Sequence, residues 1–370
     1  MLMTKLKNFF KNEIVLILSF VLAVISAFFI TPTKEYFEYI DFRTLGLLFC
    51  LMSVMAGLNK LGVFKFIAEK MLSKVKSVAG LSLILGLLCF FSSMIITNDV
   101  ALITFVPFTV TALKLSSKMD KLIWIVTIET VAANLGSMLT PIGNPQNLYL
   151  FSAFNMSIGD FISTILPYAL LSLILVIICC FMTGKGKIET QFDNNKTDFS
   201  KIHIIVYLLI FIISLLTVFR VIPFEITVII TLVAILIFDR KVLFKVDYSL
   251  LFTFIFLFII IGNLGEIKPI SDFLKSIVNG NEVLVGIASS QVFSNVPAAI
   301  LLSKFTENAH DLLIGVNLGG LGTLIASMAS LISFKFVAKE KINMSKYILI
   351  FTIINIVFLI LNLVLWIIIK

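Results

Sequence analysis

Long apolar runs separated by short polar segments fill most of the chain. Runs near 20 residues are long enough to cross a bilayer as α-helices. The pattern predicts uninterrupted spans over residues 14–30, 44–59, 161–183, 204–219, 222–238, 247–263 and 345–369. The predicted fold class is therefore an all-α polytopic membrane protein.

Four further apolar runs are interrupted near their middle by polar residues, Gly or Pro. They are residues 80–115, 121–156, 283–305 and 312–334. The first run breaks at Thr97-Asn98-Asp99, and the second breaks between Thr140 and Asn144. Backbone groups freed by a break need partners, so such breaks survive only where they line a cavity or pack against protein. The breaks are therefore expected at the centre of the molecule.

The second half of the chain repeats the polar pattern of the first. Phe91–Ile103 and Ala288–Ile300 both read Ser-Ser, three apolar or amide positions, a hydroxyl residue and then Asn. Asn134–Thr140 (NLGSMLT) is matched by Asn317–Thr323 (NLGGLGT). Because packing alone does not require the same polar string twice, the matches predict a duplicated fold. Its paired broken segments are expected to build a solute site at the bilayer midplane.

The matched segments divide the chain into two repeats and a connector. The parts are residues 1–183 (repeat 1), 184–221 (a polar loop and a connector span) and 222–370 (repeat 2). Each repeat contains one re-entrant hairpin, 80–115 or 283–305, and one broken helix, 121–156 or 312–334.

The distribution of charge orients the repeats. The amphipathic segment 60–78 carries five Lys against one Glu, whereas the matching segment 264–282 carries two Lys against three acidic residues. Because positive residues favour the cytoplasmic side, the two segments are expected on opposite sides, which makes the repeats inverted. Lys5, Lys7 and Lys11 precede a first span long enough to remain uncleaved, and the N-terminus is expected in the cytoplasm.

Composition excludes other classes of protein. Charged residues make up only 14% of the chain and hydrophobic residues 59%, against about 25% charged in soluble domains. The net charge of +8 is explained by Lys in cytoplasmic loops, so no nucleic-acid partner is expected. All four Cys lie in apolar runs, which indicates small core residues. No His lies near a candidate Ser or Cys nucleophile, so the chain is not expected to be an enzyme.

Broken helices can bind ions without basic side chains. Helix N-termini offer free N–H groups to an anion, and carbonyl or side-chain oxygens can hold Na⁺. The expected pocket contains amides and hydroxyls and no basic residue. An isolated Ser or Thr in a membrane helix also has a simpler role, since its hydroxyl often bonds its own backbone.

Two acidic residues within apolar runs leave two interpretations open. Asp99 is either a coupling group for H⁺ or Na⁺ or a cap for the helix that begins at the break. Glu129 either reaches the same cavity or makes a structural hydrogen bond.

Three motifs resemble the ion transporter superfamily. They are Thr97–Phe108 (TNDVALITFVPF), Ala133–Asn147 (ANLGSMLTPIGNPQN) and Ser294–Ala299 (SNVPAA). That superfamily includes divalent anion–sodium symporters, arsenite-permease-like carriers, citrate carriers and some sodium–proton antiporters. The resemblance implies two re-entrant hairpins, two broken helices and a homodimer with an elevator-type transport domain.

The resemblance also implies the site residues. In the divalent anion symporters each hairpin tip carries Ser-Asn-Thr, whereas here the third position is Asp99 or Val296. The implied substrate ligands are Thr97, Asn98, Asp99, Thr140, Pro141, Ser294, Asn295 and Thr323. The implied cation ligands are Ser93, Asn98, Asp99, Gly143, Asn144, Ser290, Asn295 and Gly322.

The predicted function is secondary active transport of a small anion, a carboxylate or an oxyanion, across the cytoplasmic membrane. The coupling ion is Na⁺ or H⁺, and no other cofactor is expected. Two alternatives stay open: a sodium–proton antiporter with Asp99 and Glu129 as titrating groups, and an arsenite or antimonite efflux permease. A neutral metalloid hydroxide also suits a pocket of amides and hydroxyls.

Overall fold

The computed structural model describes residues 13–72, 75–184, 186–188 and 200–370. Outside the described residues lie most of the polar loop 184–203 and four lysines, Lys5, Lys7, Lys11 and Lys74. The predicted orientation depends in part on these lysines and stays a prediction. The described part is all-helical, as predicted. Its helices are α1 (Ile14–Phe29), α2 (Tyr36–Tyr39), α3 (Phe42–Lys60), α4 (Val63–Leu72), α5 (Val78–Ile96), α6 (Asn98–Leu115), α7 (Leu122–Ser137), α8 (Pro145–Ala153), α9 (Ile158–Phe181), α10 (Lys201–Val218), α11 (Phe224–Phe238), α12 (Tyr248–Glu266), α13 (Lys268–Val278), α14 (Glu282–Phe293), α15 (Asn295–Ser303), α16 (Ala309–Leu318), α17 (Met328–Val337) and α18 (Met344–Ile369).

Within the described residues, seven helices are long and apolar enough to cross a membrane: α3, α5, α6, α9, α10, α12 and α18. This confirms a multi-pass membrane protein. The set differs from the predicted spans in two ways. The predicted spans 14–30 and 222–238 form helices of only 16 and 15 residues. Conversely, each arm of the first predicted hairpin is long enough to span by itself, at 19 and 18 residues.

Two spans begin with the same capping contact. The Asp41 carboxylate accepts a hydrogen bond from the Thr44 N–H at 2.9 Å, and the Asp247 carboxylate accepts one from the Leu250 N–H at 3.0 Å. Each contact satisfies an N–H that has no partner within its own helix. The caps therefore fix where α3 and α12 begin, and both helices line the cavity described below.

The chain breaks its helices at all four predicted places. Helices α5 and α6 meet at Thr97, and α14 and α15 meet at Ser294. Helices α7 and α8 are separated by residues 138–144, and α16 and α17 by residues 319–327. The second pair of arms is shorter than the first, at 12 and 9 residues.

Helix α7 lies at the centre of the packing, and every one of its residues except Trp124 is buried. It packs against α5, α6, α9, α17 and α18. A Cβ at Gly136 would overlap the backbone carbonyl of Phe90, so the glycine permits the close approach of α5 and α7. By contrast, α10 and α18 expose many large apolar side chains, as lipid-facing helices do.

Candidate functional site

The two helix breaks have nearly the same backbone conformation. Thr97 has φ 71° and ψ 153°, and Ser294 has φ 74° and ψ 155°. This region is almost restricted to glycine, and Thr is disfavoured further because its Cβ is branched. Such strain persists where the surrounding structure imposes it, and it concentrates at functional sites. The same strained turn occurs in both halves of the chain.

Each strained turn is followed by an Asn that bonds a broken-helix loop. The Asn98 N–H donates to the Gly143 carbonyl at 3.2 Å, and the Asn295 N–H donates to the Ala326 carbonyl at 3.0 Å. The first free N–H of α6 and of α15 therefore has a partner outside its own helix. These contacts hold each helix break against a loop between two half-helices.

Asn134, near the end of α7, joins the two halves. Its Oδ1 accepts hydrogen bonds from Asn98 Nδ2 and from Ser327 Oγ, both at 3.0 Å. Its own Nδ2 is buried and has no partner. Buried amide groups almost always have partners, so this unpaired donor is an exception. Asn134 itself lines neither of the cavities described below.

A second group of amides surrounds Asn317 in α16. Its Nδ2 donates to Asn147 Oδ1 at 2.7 Å, and its Oδ1 accepts from Asn144 Nδ2 at 3.3 Å. Asn144 Nδ2 also lies 3.2 Å from Ser137 Oγ. All four side chains are buried. The loop between α7 and α8 is thus tied to the second half of the chain.

A cavity of about 350 Å³ opens beside the first break. Thr97, Asp99 and Asn144 line it together with apolar side chains of α3. Lys60 and Lys245 line it as well, so the prediction of a pocket with no basic residue is wrong for this cavity. The predicted pocket is built from the broken segments alone, whereas Lys60 and Lys245 lie at the ends of other elements.

A second, narrow cleft of about 10 Å³ lies between the two breaks. Asn98, Asp99, Asn295 and Ser327 line it. Asp99 is the one predicted ligand common to the cleft and the larger cavity. The two Asn side chains that follow the strained turns therefore line the same cleft.

The Asp99 carboxylate has no hydrogen bond or ion pair with any other described residue, although it lies in the first turn of α6. The capping contact there belongs to Asn98, whose Oδ1 accepts from the Asp99 N–H at 3.0 Å. Of the two interpretations of Asp99, this geometry favours a group available to a cation. Asp247 lines the same cavity but is engaged in capping α12.

Other implied ligands make structural contacts and line neither cavity. The Ser93 hydroxyl donates to the Phe90 carbonyl at 2.9 Å, and the Ser290 hydroxyl donates to the Gly286 carbonyl at 2.7 Å. The simpler role of a hydroxyl bonded to its own helix therefore describes both. The remaining implied ligands outside the two cavities are Thr140, Pro141, Gly143, Ser294, Gly322 and Thr323.

The loops after α7 and α16 are held by equivalent contacts. The Thr140 hydroxyl donates to the Met94 carbonyl at 2.5 Å. In the second half, the Thr323 N–H donates to Gln291 Oε1 at 3.0 Å, while the Thr323 side chain is exposed. Gln291 Nε2 also donates to the carbonyls of two loop residues, each at 2.9 Å. These contacts hold each broken-helix loop against the arm that precedes the strained turn.

Several residues that organise this site are not among the ligands that the family resemblance implies. Asn134, Asn317 and Gln291 lie in the matched polar strings, so the repetition itself was the signal for them. Lys60 and Lys245 had no such signal, since their charges indicated only which end of a helix faces the cytoplasm.

The chain is similar to a family of transporters and to several membrane transport proteins. The profile of a family described as citrate transporter matches residues 1–314. An uncharacterized transporter of Methanocaldococcus jannaschii is 38% identical over 88% of this chain and 89% of that protein. The inner membrane protein YbiR of Escherichia coli is 31% identical over 84% of this chain and 83% of that protein. A silicon efflux transporter of Oryza sativa is 29% identical over 42% of this chain and 32% of that protein.

Proposed function

The chain belongs to the citrate transporter family, and we propose that it moves a small anion across the cytoplasmic membrane by secondary active transport. The resemblance seen in its motifs to the ion transporter superfamily is confirmed by its relatives. The Escherichia coli relative is named an inner membrane protein, which supports the membrane assigned here. The coupling ion is Na⁺ or H⁺.

The observation that carries this proposal is that two nearly identical strained turns lead into one shared cleft. Asn98 and Asn295 follow these turns, and both line the cleft. Paired unwound segments in matching halves are the usual position of a transporter site. We accordingly assign α5–α6 and α14–α15 as the re-entrant hairpins of two inverted repeats, with α7–α8 and α16–α17 as their broken helices.

The described groups suit an anion and a cation together. The N-termini of α6 and α15 carry partial positive charge, and Asn134 Nδ2 is a free donor. The Asp99 carboxylate would repel an anion unless a cation or a proton neutralises it. We therefore propose that the cation binds first at Asp99, with Asn144 beside it, and that the anion binds next at Asn98 and Asn295.

The position of the cavity supports a transport cycle with alternating access. The cavity reaches Asp99 from the side of Lys60 and Lys245, which the positive-inside rule assigns to the cytoplasm. The cleft between the hairpin tips is too small for a solute. We propose that this conformation is open to the cytoplasm and that an elevator-type movement within a homodimer exposes the site to the other side.

The test is solute uptake in proteoliposomes with Na⁺ and pH gradients imposed separately. Asn98→Ala and Asn295→Ala should each reduce uptake at least about tenfold, because each removes a hydrogen-bonding amide from the site. Asn355→Ala is the matched control, since it removes a buried amide of α18 that bonds its own helix at 2.8 Å. If both site variants transport normally, the assignment of Asn98 and Asn295 to the substrate site is wrong.

The second candidate substrate is a neutral hydroxide. The residue at the third position of each three-residue motif at a hairpin tip favours it. Asp99 and Val296 stand where a carboxylate-binding hydroxyl is found in the divalent anion symporters. The rice relative is named a silicon efflux transporter, which is consistent with a hydroxide. Expression in an arsenite-sensitive host tests this substrate: resistance that Asn98→Ala abolishes would support efflux of arsenite or antimonite.

The free Asp99 carboxylate also favours a third candidate, a sodium–proton antiporter. That activity would produce Na⁺-dependent pH changes inside vesicles when no other solute is present. A substrate panel run in the same vesicles separates the three candidates.

A further inference from the structure

Glu129 is a buried carboxyl that the proposed site does not use. It lies in the middle of α7 and is 0% exposed. One of its oxygens accepts a hydrogen bond from the Thr109 hydroxyl of α6. The other oxygen is buried and has no partner. The predicted alternative of a structural hydrogen bond therefore accounts for only one of its two oxygens.

The surroundings of Glu129 supply no cation. Among the described residues no Lys or Arg forms an ion pair with it. The titratable groups that face it are Cys89 of α5, Cys180 of α9 and Tyr347 of α18, whose hydroxyl is also buried without a partner. The other charged groups of the helices packed on α7 lie at helix ends: Asp99 and Lys114 on α6 (Lys114 paired with Glu340), Asp160 on α9, Lys335 on α17, Lys346 on α18, His310 and Asp311 on α16, and Asp120 beside Lys121 in the turn before α7.

A second buried carboxyl gives a comparison within the same chain. The Thr306 hydroxyl donates to one oxygen of Glu282 at 2.8 Å, and the other oxygen of Glu282 is buried without a partner. Thr306 follows Asn295 at the spacing at which Thr109 follows Asn98. Glu282, however, is the first residue of α14.

The two carboxyls differ in their positions along their helices. The partial positive charge of a helix N-terminus stabilises an anion there, and this effect is lost beyond the first turn. Glu282 has that stabilisation, whereas Glu129 has turns of α7 on both sides. An ionised carboxylate deep in protein and lipid, with neither a cation nor a helix terminus, is strongly disfavoured. Glu129 therefore lacks both of the features that would stabilise its charged form.

Glu129 is also connected to the hairpin tip through two helices. Asn134 follows it by five residues on α7, a rise of about 7.5 Å. Asn98 and Thr109 lie on α6, and they bond Asn134 and Glu129 respectively. A shift of α6 along α7 on ligand binding would therefore change the contact at the tip and the contact at Glu129 together.

We propose that Glu129 is the proton-binding site of this transporter and that its proton is exchanged when α6 moves against α7. This deepens the proposed function, on which it rests, by making H⁺ a coupling ion. The step is reversible protonation: the carboxylate accepts H⁺ from water on one side, and the neutral carboxyl releases it on the other. No other bond forms or breaks.

The test is infrared difference spectroscopy of the full-length protein in liposomes, titrated with H⁺ alone between about pH 5 and about pH 9. We expect a carboxylic-acid carbonyl band that disappears as the pH rises. The component of this band that comes from Glu129 should be absent in Glu129→Gln, shifted in Glu129→Asp and retained in Glu282→Gln and in Asp99→Asn. No transported solute is needed, so a failed uptake assay does not affect the result.

Two hydroxyl variants keep the proposal testable if Glu129→Gln does not fold. Thr109→Val should shift the same band, because it removes the hydrogen bond to Glu129, whereas Thr306→Val should leave the band unchanged. The proposal is wrong if Glu282→Gln removes the band or if the wild-type difference spectra contain no such band, because a carboxyl that does not respond to pH gives no difference signal. The last result would leave Glu129 as a permanently protonated structural residue.

Discussion

Replacing Thr97 by Gly should stabilise the protein and abolish transport. Thr97 has φ 71° and ψ 153°, a conformation that glycine adopts without strain. Its side chain makes no capping hydrogen bond, so the substitution removes no structural contact of that kind. It does remove a hydroxyl that lines the 350 Å³ cavity beside Asp99.

The expected gain follows from two opposing terms. Strain in this region of backbone conformation costs about 1–3 kcal/mol. Glycine raises the entropy of the unfolded chain, which costs about 0.5–1 kcal/mol. The net gain in the free energy of unfolding is therefore up to about 2.5 kcal/mol, a rise of up to about 3 °C in the unfolding temperature.

Thermal unfolding in detergent and solute uptake in proteoliposomes measure the two effects separately. Ser117→Gly is the matched control, because Ser117 has φ 54° but lies exposed in the turn after α6, away from the site. That variant should change stability by less than about 1 kcal/mol and leave uptake unchanged. If Thr97→Gly is no more stable than the wild type, or is stable and fully active, the link between strain and function is wrong.

Three further predictions test the packing around the site. Gly136→Ala should destabilise the protein by about 1–3 kcal/mol, because the new Cβ overlaps backbone of α5. Gly159→Ala is the control and should be nearly neutral in thermal unfolding, because its Cβ would meet only Ser157 Oγ, at an ordinary contact distance of 3.8 Å. Gln291→Ala should leave two loop carbonyls without their donor and reduce uptake more than it changes the unfolding temperature. Burial opposes ionisation of Asp239, but Lys60 at 2.6 Å more than offsets it, so the pKa of Asp239 lies below its ordinary value. That pair should therefore contribute up to about 1 kcal/mol at neutral pH and lose it as the pH falls below about 4, where the unfolding temperatures of wild type and Asp239→Asn converge.

Local sequence determined the helices and their interruptions. The length of an apolar run sets whether it can form a membrane helix, and the polar residues at Thr97 and Ser294 mark where the helices break. These properties depend on neighbouring residues along the chain, which explains why the predicted breaks agree with the structure. The motifs that carry the family resemblance are equally local, and the family is confirmed.

Tertiary structure decided which polar groups meet. By residue type and position in the repeated string, Ser93 and Ser290 are equivalent to the other site hydroxyls, but both donate to carbonyls of their own helices. Asn134 instead joins Asn98, 36 residues away, with Ser327, 193 residues away. Spacing along the chain does not encode such contacts, because they depend on how helices pack against each other.

The sequence predicts which polar groups form the site, but the structure determines which charged groups lie beside them. Its composition predicted a pocket of amides and hydroxyls, and these side chains do line the cleft. Only the packing of α3 and the turn before α12 brings Lys60 and Lys245 to the cavity that reaches Asp99. Local hydropathy can place each residue on a helix or at its end, but the three-dimensional arrangement of those helices determines which charges act on a common site.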